Sequence, residues 1–337
     1  MEQNMKYLDR FLIKDLLKSF RKTDIAFYID DIKPYNQAMA SIRMRCYDVI
    51  LFLEKKGIRA ELYKPFKKYK VVIFTKTSTD KSVQLAKKLK AQGVKVYFES
   101  FCEYLTDDNK MTHEKENILE ITKVSDAIGA CSGVQQEMFS VYHDKVLLIP
   151  ESVHDDFFIE KKKHEKKQPV TLVYCGYSDK AKDTLQIQDV IKRLMKEFGC
   201  KMLFVCEKDP QITEFPYEYM KYDQRIIAKQ LLQGDIMLAP RPMEGIEKRS
   251  HSFTKASYPL AVGLPTVASP LPSYYDTPVI LCYNQEEWYE KVKELIEDAD
   301  LRQKIGDEGV AFIYENYSME AIGKKYLEVL RMLQVIE

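Results

Sequence analysis

The chain has 337 residues, 45% of them hydrophobic and 12% aromatic, which supplies packed cores and excludes a disordered protein. This length exceeds one usual hydrophobic core, so two domains are expected. Lysine and arginine (52) nearly balance aspartate and glutamate (51), and the net charge of +1 gives no global field that would attract nucleic acid.

The seven cysteines are scattered through apolar stretches such as LVYCGY, and no pair has CxxC or zinc-ligand spacing. We therefore expect small buried side chains in a reducing compartment, without a disulfide or metal framework. The sequence shows no signal-peptide pattern and no apolar run of about 18 residues, so a cytoplasmic protein is expected.

The first half alternates short β-rich runs with helical patterns, which is typical of a parallel α/β sheet. Strands are predicted at 24–30, 60–64, 70–75, 94–99, 127–132 and 146–150. Helices are predicted near 41–56, 80–92, 114–123 and 133–141. Gly93 ends the second of these as a C-cap.

A charged run, FFIEKKKHEKKQP, interrupts this alternation and predicts a linker at 157–169. Beyond it, strands are predicted at 170–176, 201–207, 235–240, 265–269 and 278–282, and helices near 183–198, 223–233, 253–262 and 284–298. A long amphipathic segment, EGVAFIYENYSMEAIGKKYLEVLRML, closes the chain. The predicted organisation is a first domain at 1–156, the linker, a second domain at 170–317 and a terminal helix at 318–337.

The stretch KRSHSFTKASYPLAVGLPTVASP, at 248–270, gathers basic and hydroxyl side chains just before a predicted buried helix. These side chains are Lys248, Arg249, Ser250, His251, Ser252, Thr254 and Lys255. Free N–H groups at a helix N-terminus, the helix dipole and nearby cations together stabilise an anion. Ser252 or Thr254 could cap this helix. The alternative is a solvated loop with an ordinary cap.

The order and spacing of several stretches resemble a GT-B glycosyltransferase, an α/β fold of two facing Rossmann-like domains with a C-terminal helix that crosses back. The stretches include ASIRMRCYDVILFLEKKGIRAELY, SDAIGACSGVQQEMF, LVYCGYSDKAKD and, as the most specific, AVGLPTVASPLPSY. The similarity is greatest to the bacterial retaining group that builds surface polysaccharides from nucleotide sugars. It implies transfer of a sugar to a saccharide or lipid-linked saccharide acceptor.

This resemblance also implies which residues bind the donor. The donor diphosphate and sugar would contact Gly176, Lys180, Lys182, Arg249, Ser250, His251, Ser252, Thr254 and Lys255. Many members carry a glutamate pair whose second member opens the helix, and that position is Tyr258 here. Glu244 and Glu247 lie just upstream, and Glu244 is a carboxylate candidate for catalysis. Two alternatives stay open, a catalytically silent GT-B scaffold that binds a partner and a nucleotide-sugar epimerase.

In the first half, Arg43 and Arg45 match the family's Ser-x-Arg-x-Arg helix, and Lys76 follows a predicted strand. These three are the acceptor-site candidates. Two residues apart on a helix, the arginines diverge, so one could face a ligand while the other pairs with an acid. Glu99 and Glu103 resemble an acidic pair in related sequences and are candidates for proton transfer, with a structural ion pair as the alternative.

No metal or cofactor is expected, because the histidines share no ligand spacing and the adjacent acid pairs at 30–31, 107–108 and 155–156 are not the Asp-x-Asp metal motif of the other main glycosyltransferase fold. A peripheral membrane contact is expected from MKYLDRFLIKDLLKSFRK and from KPFKKYK at 64–70. The first would set Leu8, Phe11, Leu12 and Leu16 on one helix face among cations, a composition typical of interfacial helices at the inner membrane face. A helix packed on its own domain is the alternative.

Overall fold

The structure, a computed structural model, describes residues 11–17, 21–100, 105, 112–154, 159–166 and 168–337. The chain divides into two compact units. The first unit takes Met1–His154, Gly245–Ser252 and Ser318–Glu337, and the second takes Asp155–Glu244 and Phe253–Tyr317.

In the described part of the first unit, six parallel strands form one sheet in the order β2-β1-β3-β4-β5-β6. The strands are β1 (Ile25–Tyr28), β2 (Ala60–Leu62), β3 (Val71–Thr75), β4 (Lys95–Ser100), β5 (Ala127–Ala130) and β6 (Val146–Leu148). The helices are α1 (Phe11–Leu17), α2 (Ala40–Ile42), α3 (Asp48–Lys55), α4 (Asp80–Ala91), α5 (Thr112–Val124) and α6 (Gly133–Ser140), with a π-helical turn at Arg43–Tyr47.

The second unit has its own parallel sheet, with six described strands in the order β12-β11-β10-β7-β8-β9. They are β7 (Thr171–Cys175), β8 (Lys201–Cys206), β9 (Glu218–Lys221), β10 (Ile236–Ala239), β11 (Thr266–Ala268) and β12 (Ile280–Leu281). The remaining α-helices among the described residues are α7 (Ser178–Ala181), α8 (Gln188–Phe198), α9 (Ile227–Leu231), α10 (Ile246–Arg249), α11 (Thr254–Ala261), α12 (Gln285–Glu297), α13 (Ala299–Tyr317) and α14 (Met319–Met332).

Both sheets have central strands that are buried on each face, as expected when helices cover a parallel sheet. Every residue of β1, β3 and β10 is buried, and these strands are built from β-branched, aromatic and other apolar side chains with few polar ones. Such strands appear in the sequence as nearly uninterrupted apolar stretches, and for this reason the sequence predicts them.

The last helix, α14, packs into the core of the first unit. Ser318 caps it by accepting a hydrogen bond from the Ala321 N–H, and Ile322 and Tyr326 are buried in that core. Gly323 lies against the ring of Phe52, where a β-carbon would come within 2.3 Å of the ring edge. Glycine at this position therefore permits the close approach of α14 to α3.

The described residues of the charged run at 157–169 are fastened to the second unit. Lys162 is buried, with its Nζ 3.0 Å from Asp235 Oδ1 and donating to the Leu232 carbonyl at 2.9 Å. The His164 ring lies 2.9 Å from the carbonyl oxygen of Gly263. Lys162 and His164 therefore contact the second unit within a segment whose composition predicts a linker.

None of the described helices combines the length and the apolar character that crossing a membrane requires.

Candidate functional site

The sheet of the second unit reverses its strand order between β7 and β10, the topological switch point at which ligands bind in open α/β sheets. Gly176 follows β7, and Arg241 lies two residues after β10. A β-carbon on Gly176 would lie 3.1 Å from the Tyr174 hydroxyl, so this position favours glycine. Gly176 therefore leaves room for the Tyr174 side chain at the edge where a ligand is expected.

Lys255, in the first turn of α11, reaches this edge. Its Nζ lies 4.0 Å from the centroid of the Tyr174 ring. Among the described residues, no atom accepts a hydrogen bond from Lys255 Nζ, from Arg241 Nη1 or from the Tyr174 hydroxyl, and all three atoms are buried. We call these three side chains the anion pocket.

Within the part of the chain that the structure describes, no carboxylate forms an ion pair with Lys255 or Arg241. Burial, followed by the positive charge of Arg241, lowers the pKa of Lys255 to about 7, against a smaller opposing effect of Asp183. Burial raises the pKa of Tyr174 well above its usual value, so the phenol keeps its proton. Buried donors without acceptors are costly unless a ligand completes them. The pocket thus supplies two potential cations and a hydroxyl donor to an anion.

Lys180 and Lys182 also lie beyond β7, and both are exposed. Lys180 is in α7, and Lys182 follows it directly. The buried start of α7 is held by Glu207, whose carboxylate accepts from the backbone N–H of Ser178 at 2.9 Å and from its hydroxyl at 2.8 Å. Glu244 is exposed as well.

The segment just before Lys255 differs from the prediction that it forms the capped, donor-binding start of a helix. Gly245–Ser252 groups with the first unit, and the buried Ser250 accepts a hydrogen bond on its carbonyl oxygen from the Ser132 hydroxyl at 2.6 Å. Arg249 is exposed, and His251 and Ser252 are half-buried. The prediction that Ser252 or Thr254 caps the helix is wrong. The N-cap is Phe253, whose backbone is helical, and no side chain completes the cap.

In the first unit, Glu99 is fully buried and both of its carboxylate oxygens have partners. Oε1 accepts from Tyr326 at 2.5 Å and lies 3.7 Å from Arg45 Nη2, while Oε2 accepts from Thr75 at 3.0 Å. Burial raises the pKa of Glu99, and Arg45 opposes that effect. This arrangement favours the structural ion pair over proton transfer. Glu103 lies outside the described residues.

The two arginines of the π-helical turn diverge. Arg45 is buried, and its Nη1 donates to the Ile149 carbonyl at 2.7 Å. Arg43 is buried too, and it donates to the Ala38 carbonyl. Neither guanidinium is therefore exposed at the surface of the first unit.

Lys76 lies where the first sheet reverses its order, between β1 and β3. Its backbone has a φ of 50°, which is uncommon for a non-glycine residue and is found at functional sites. It lines a cavity of about 110 Å³ with Thr77, Ser78, Phe98, Glu99, Ser100 and Ile118. Thr77 and the neighbouring Thr79 both donate to Asp30, at 2.6 and 2.9 Å.

The lysines of 64–70 are largely paired with acids. Lys64 Nζ lies 2.9 Å from Asp15 and 2.8 Å from Glu61, and Lys67 also contacts Glu61. Lys70 pairs with Asp24 at 3.0 Å. The predicted apolar face of the first helix is divided, because Phe11 is buried and Leu16 is 67% exposed. Leu8 lies outside the described residues.

The described residues contain no group of three or more His, Cys, Asp or Glu side chains that could hold a metal ion. Metal independence of the chemistry stays a prediction.

No protein-family model matches the chain, and no curated protein matches it significantly. Several solved structures, in contrast, match the chain. Anabaena HepE, crystallised with UDP and glucose, is 12% identical with a TM-score of 0.67, over 92% of this chain and 100% of that one. A glycosyltransferase from Rickettsia africae is 13% identical with a TM-score of 0.65, over 94% of this chain and 99% of that one. The chain has the GT-B fold. The GT-B prediction from the sequence is therefore confirmed at the level of the fold.

An alpha-glucosyltransferase crystallised with UDP is a third GT-B neighbour, 12% identical with a TM-score of 0.64, over 92% of this chain and 100% of that one. Sequence reasoning missed Arg241 and Tyr174 in the anion pocket of this GT-B chain. Arg241 follows the strand predicted at 235–240, so the rule that ligands bind beyond strand ends could have pointed to it.

Proposed function

We propose that this chain is a glycosyltransferase that moves a sugar from a nucleotide-sugar donor to a saccharide acceptor. The anion pocket is the observation that carries the proposal. It places buried hydrogen-bond donors that have no acceptor at the switch point of a Rossmann-like sheet. A sugar nucleotide presents a diphosphate, which is the anion that such a pocket fits. The UDP and UDP-glucose complexes of fold neighbours support this ligand class.

In this proposal, Lys255 and Arg241 bind the diphosphate and stabilise the charge that develops on it as it leaves. The bond between the sugar C1 and the diphosphate oxygen breaks, and the nucleoside diphosphate leaves with the bonding electrons. The acceptor hydroxyl oxygen forms a new bond at C1 and loses its proton to solvent. Fixed cations in a water-poor pocket stabilise such a leaving group strongly. Lys180 and Lys182, beyond the same strand, would contact the outer phosphate oxygens. Positioning of the two substrates supplies the rest of the rate enhancement.

We assign the acceptor to the edge of the first sheet at Lys76. The hydroxyls of Thr77, Ser78 and Ser100 line the cavity there, and hydroxyl-rich surfaces suit a saccharide. Lys76 adds a hydrogen-bond donor for the oxygens of the acceptor saccharide. Arg43 and Arg45 would act behind this surface, because they are buried and bonded within the unit. Glu99 lines the cavity and is held in place by Arg45 and Tyr326.

We also propose that the reaction belongs to surface glycan synthesis in the cytoplasm, at the inner face of the membrane, on a lipid-linked acceptor. Exposed Ile13, Leu16, Leu17 and Phe66 supply apolar contact in place of the paired lysines. Sedimentation with anionic vesicles tests this contact. Loss of binding in the Leu16→Ser, Phe66→Ser double variant supports it, and absence of binding by the unaltered protein leaves a water-soluble acceptor as the better reading.

The proposal is tested by calorimetry over UDP-, GDP- and ADP-linked sugars, followed by a nucleoside diphosphate release assay with saccharide acceptors. Lys255→Met should weaken donor binding by about tenfold to a hundredfold, since a charge-assisted hydrogen bond contributes about 1.5–3 kcal/mol. Lys196→Met, on the exposed face of α8, is the matched control. Binding without transfer to any acceptor would favour the silent scaffold, and conversion of the donor sugar without an acceptor would favour the epimerase.

A further inference from the structure

The surroundings of Lys255 determine how its charge can change. The groups whose charges act on it are Arg241 beyond β10, Asp183 beyond α7, Cys175 of β7 and Cys206 of β8. Burial raises the pKa of each of these cysteines to about 12. Both thiols therefore stay neutral between pH 6 and 9, as does the Tyr174 phenol.

Two oppositely charged side chains act on the amine, the guanidinium of Arg241 and the carboxylate of Asp183. A guanidinium is a permanent cation in proteins. The repulsion from Arg241 outweighs the attraction of Asp183, and burial adds to it, so the pKa of Lys255 falls to about 7. An ammonium here has no acceptor among the described residues, whereas a neutral amine avoids that desolvation.

We propose that the anion pocket binds a donor diphosphate together with a proton, which Lys255 takes up from solvent as the anion arrives. The anion supplies the missing hydrogen-bond acceptor and adds negative charge to that of Asp183, so the ammonium becomes the stable form of the side chain in the complex. This inference rests on the proposed function and concerns regulation of the same site.

Proton uptake makes the donor affinity fall as the pH rises. Below pH 7 Lys255 is already protonated in the free protein, and donor affinity is constant. Above pH 7 each binding event must capture a proton, so the dissociation constant rises by up to tenfold per pH unit until the pKa of the complex is reached. Between pH 6.5 and 8.5 we expect the affinity to fall about 20-fold.

The test is isothermal titration calorimetry with UDP-glucose, or with GDP-glucose or ADP-glucose if one of these binds more tightly at pH 6.5. Neither phosphate of such a donor titrates between pH 6.5 and 8.5, so a pH effect reports on the protein. Measurements at pH 8 in two buffers of different ionisation enthalpy count the protons taken up. We expect close to one proton per donor for the unaltered protein and for the Lys196→Met control.

Two variants separate the charge from the side-chain volume. Lys255→Arg carries a permanent cation, so its donor affinity should not change with pH and it should take up no proton. Lys255→Met should bind weakly at pH 6.5 and also take up no proton. If Lys255→Arg fails to fold, the proton count of Lys255→Met decides, since uptake that persists without the amine overturns the proposal.

The possible failures are distinguishable. Tight donor binding at pH 6.5 with an unchanged dissociation constant at pH 8.5 and no proton uptake would overturn this inference and leave the proposed function in place. A complete lack of nucleotide-sugar binding at pH 6.5 would overturn the proposed function, and the inference with it.

Discussion

Replacing Lys255 by methionine should stabilise the free protein while it weakens donor binding. Methionine has a similar length and no charge, and its thioether packs well against an aromatic ring such as that of Tyr174. The buried ammonium has no hydrogen-bond acceptor among the described residues, so its removal ends an unfavourable desolvation. A binding residue that reduces stability is the expected trade-off at a functional site.

The magnitude follows from the pKa of Lys255, which falls from 10.5 in the unfolded chain to about 7. Each pH unit corresponds to about 1.4 kcal/mol, so below pH 7 the charged amine destabilises the fold by at most about 5 kcal/mol. The folded state binds fewer protons than the unfolded state between pH 7 and 10.5. The destabilisation is therefore complete below pH 7 and disappears as the pH rises to 10.5.

Thermal unfolding of the full chain without ligand measures this effect. At pH 6.5 the midpoint of Lys255→Met should exceed that of the unaltered protein by several degrees, and at pH 9.5 the difference should shrink severalfold. Lys196→Met, which removes an exposed amine, should change neither midpoint. A Lys255→Met variant that is less stable than the unaltered protein at pH 6.5 would refute the reasoning, because it would mean that the amine is satisfied in the fold.

Three further predictions concern the site. Arg241→Met should weaken donor binding by about tenfold or more in calorimetry, since it removes a charge-assisted bond worth about 1.5–3 kcal/mol, and an unchanged affinity would exclude Arg241 from the site. Gly176→Ala should weaken donor binding severalfold in the same assay, because the new β-carbon would lie 3.1 Å from the Tyr174 hydroxyl and displace the ring beneath Lys255. Unaltered binding would show that the Tyr174 ring can move without loss of affinity. Turnover should persist in excess chelator because the cations of the protein replace a metal, and a complete loss that manganese reverses would contradict this.

Much of the fold is predictable from the sequence because parallel strands buried on both faces read as apolar runs. The strand β9 was missed for the opposite reason. Glu218–Lys221 is an edge strand with exposed, charged residues, so no apolar run marks it. The π-helical turn at Arg43–Tyr47 lies within the helix predicted near 41–56, and a local sequence pattern does not distinguish it from an α-helix.

The candidate site was only partly predictable. Lys255 could be proposed because basic residues cluster before a helix. Its closest neighbours in sequence mislead, because Gly245–Ser252 groups with the first unit while Lys255 meets Tyr174 and Arg241 of the second. Contacts among residues so far apart in the chain depend on the order of the strands, which local patterns do not specify. Similarly, Glu99 looks like a catalytic acid in the sequence, and only its partners Arg45 and Tyr326 show how it is held.

The central claim is that the anion pocket binds the diphosphate of a nucleotide sugar. A crystal structure with the donor that binds most tightly tests it most directly. The account predicts phosphate oxygens within hydrogen-bond distance of both Lys255 Nζ and Arg241 Nη1, beyond the ends of β7 and β10. A diphosphate bound elsewhere, with these two side chains still without an acceptor, would contradict it.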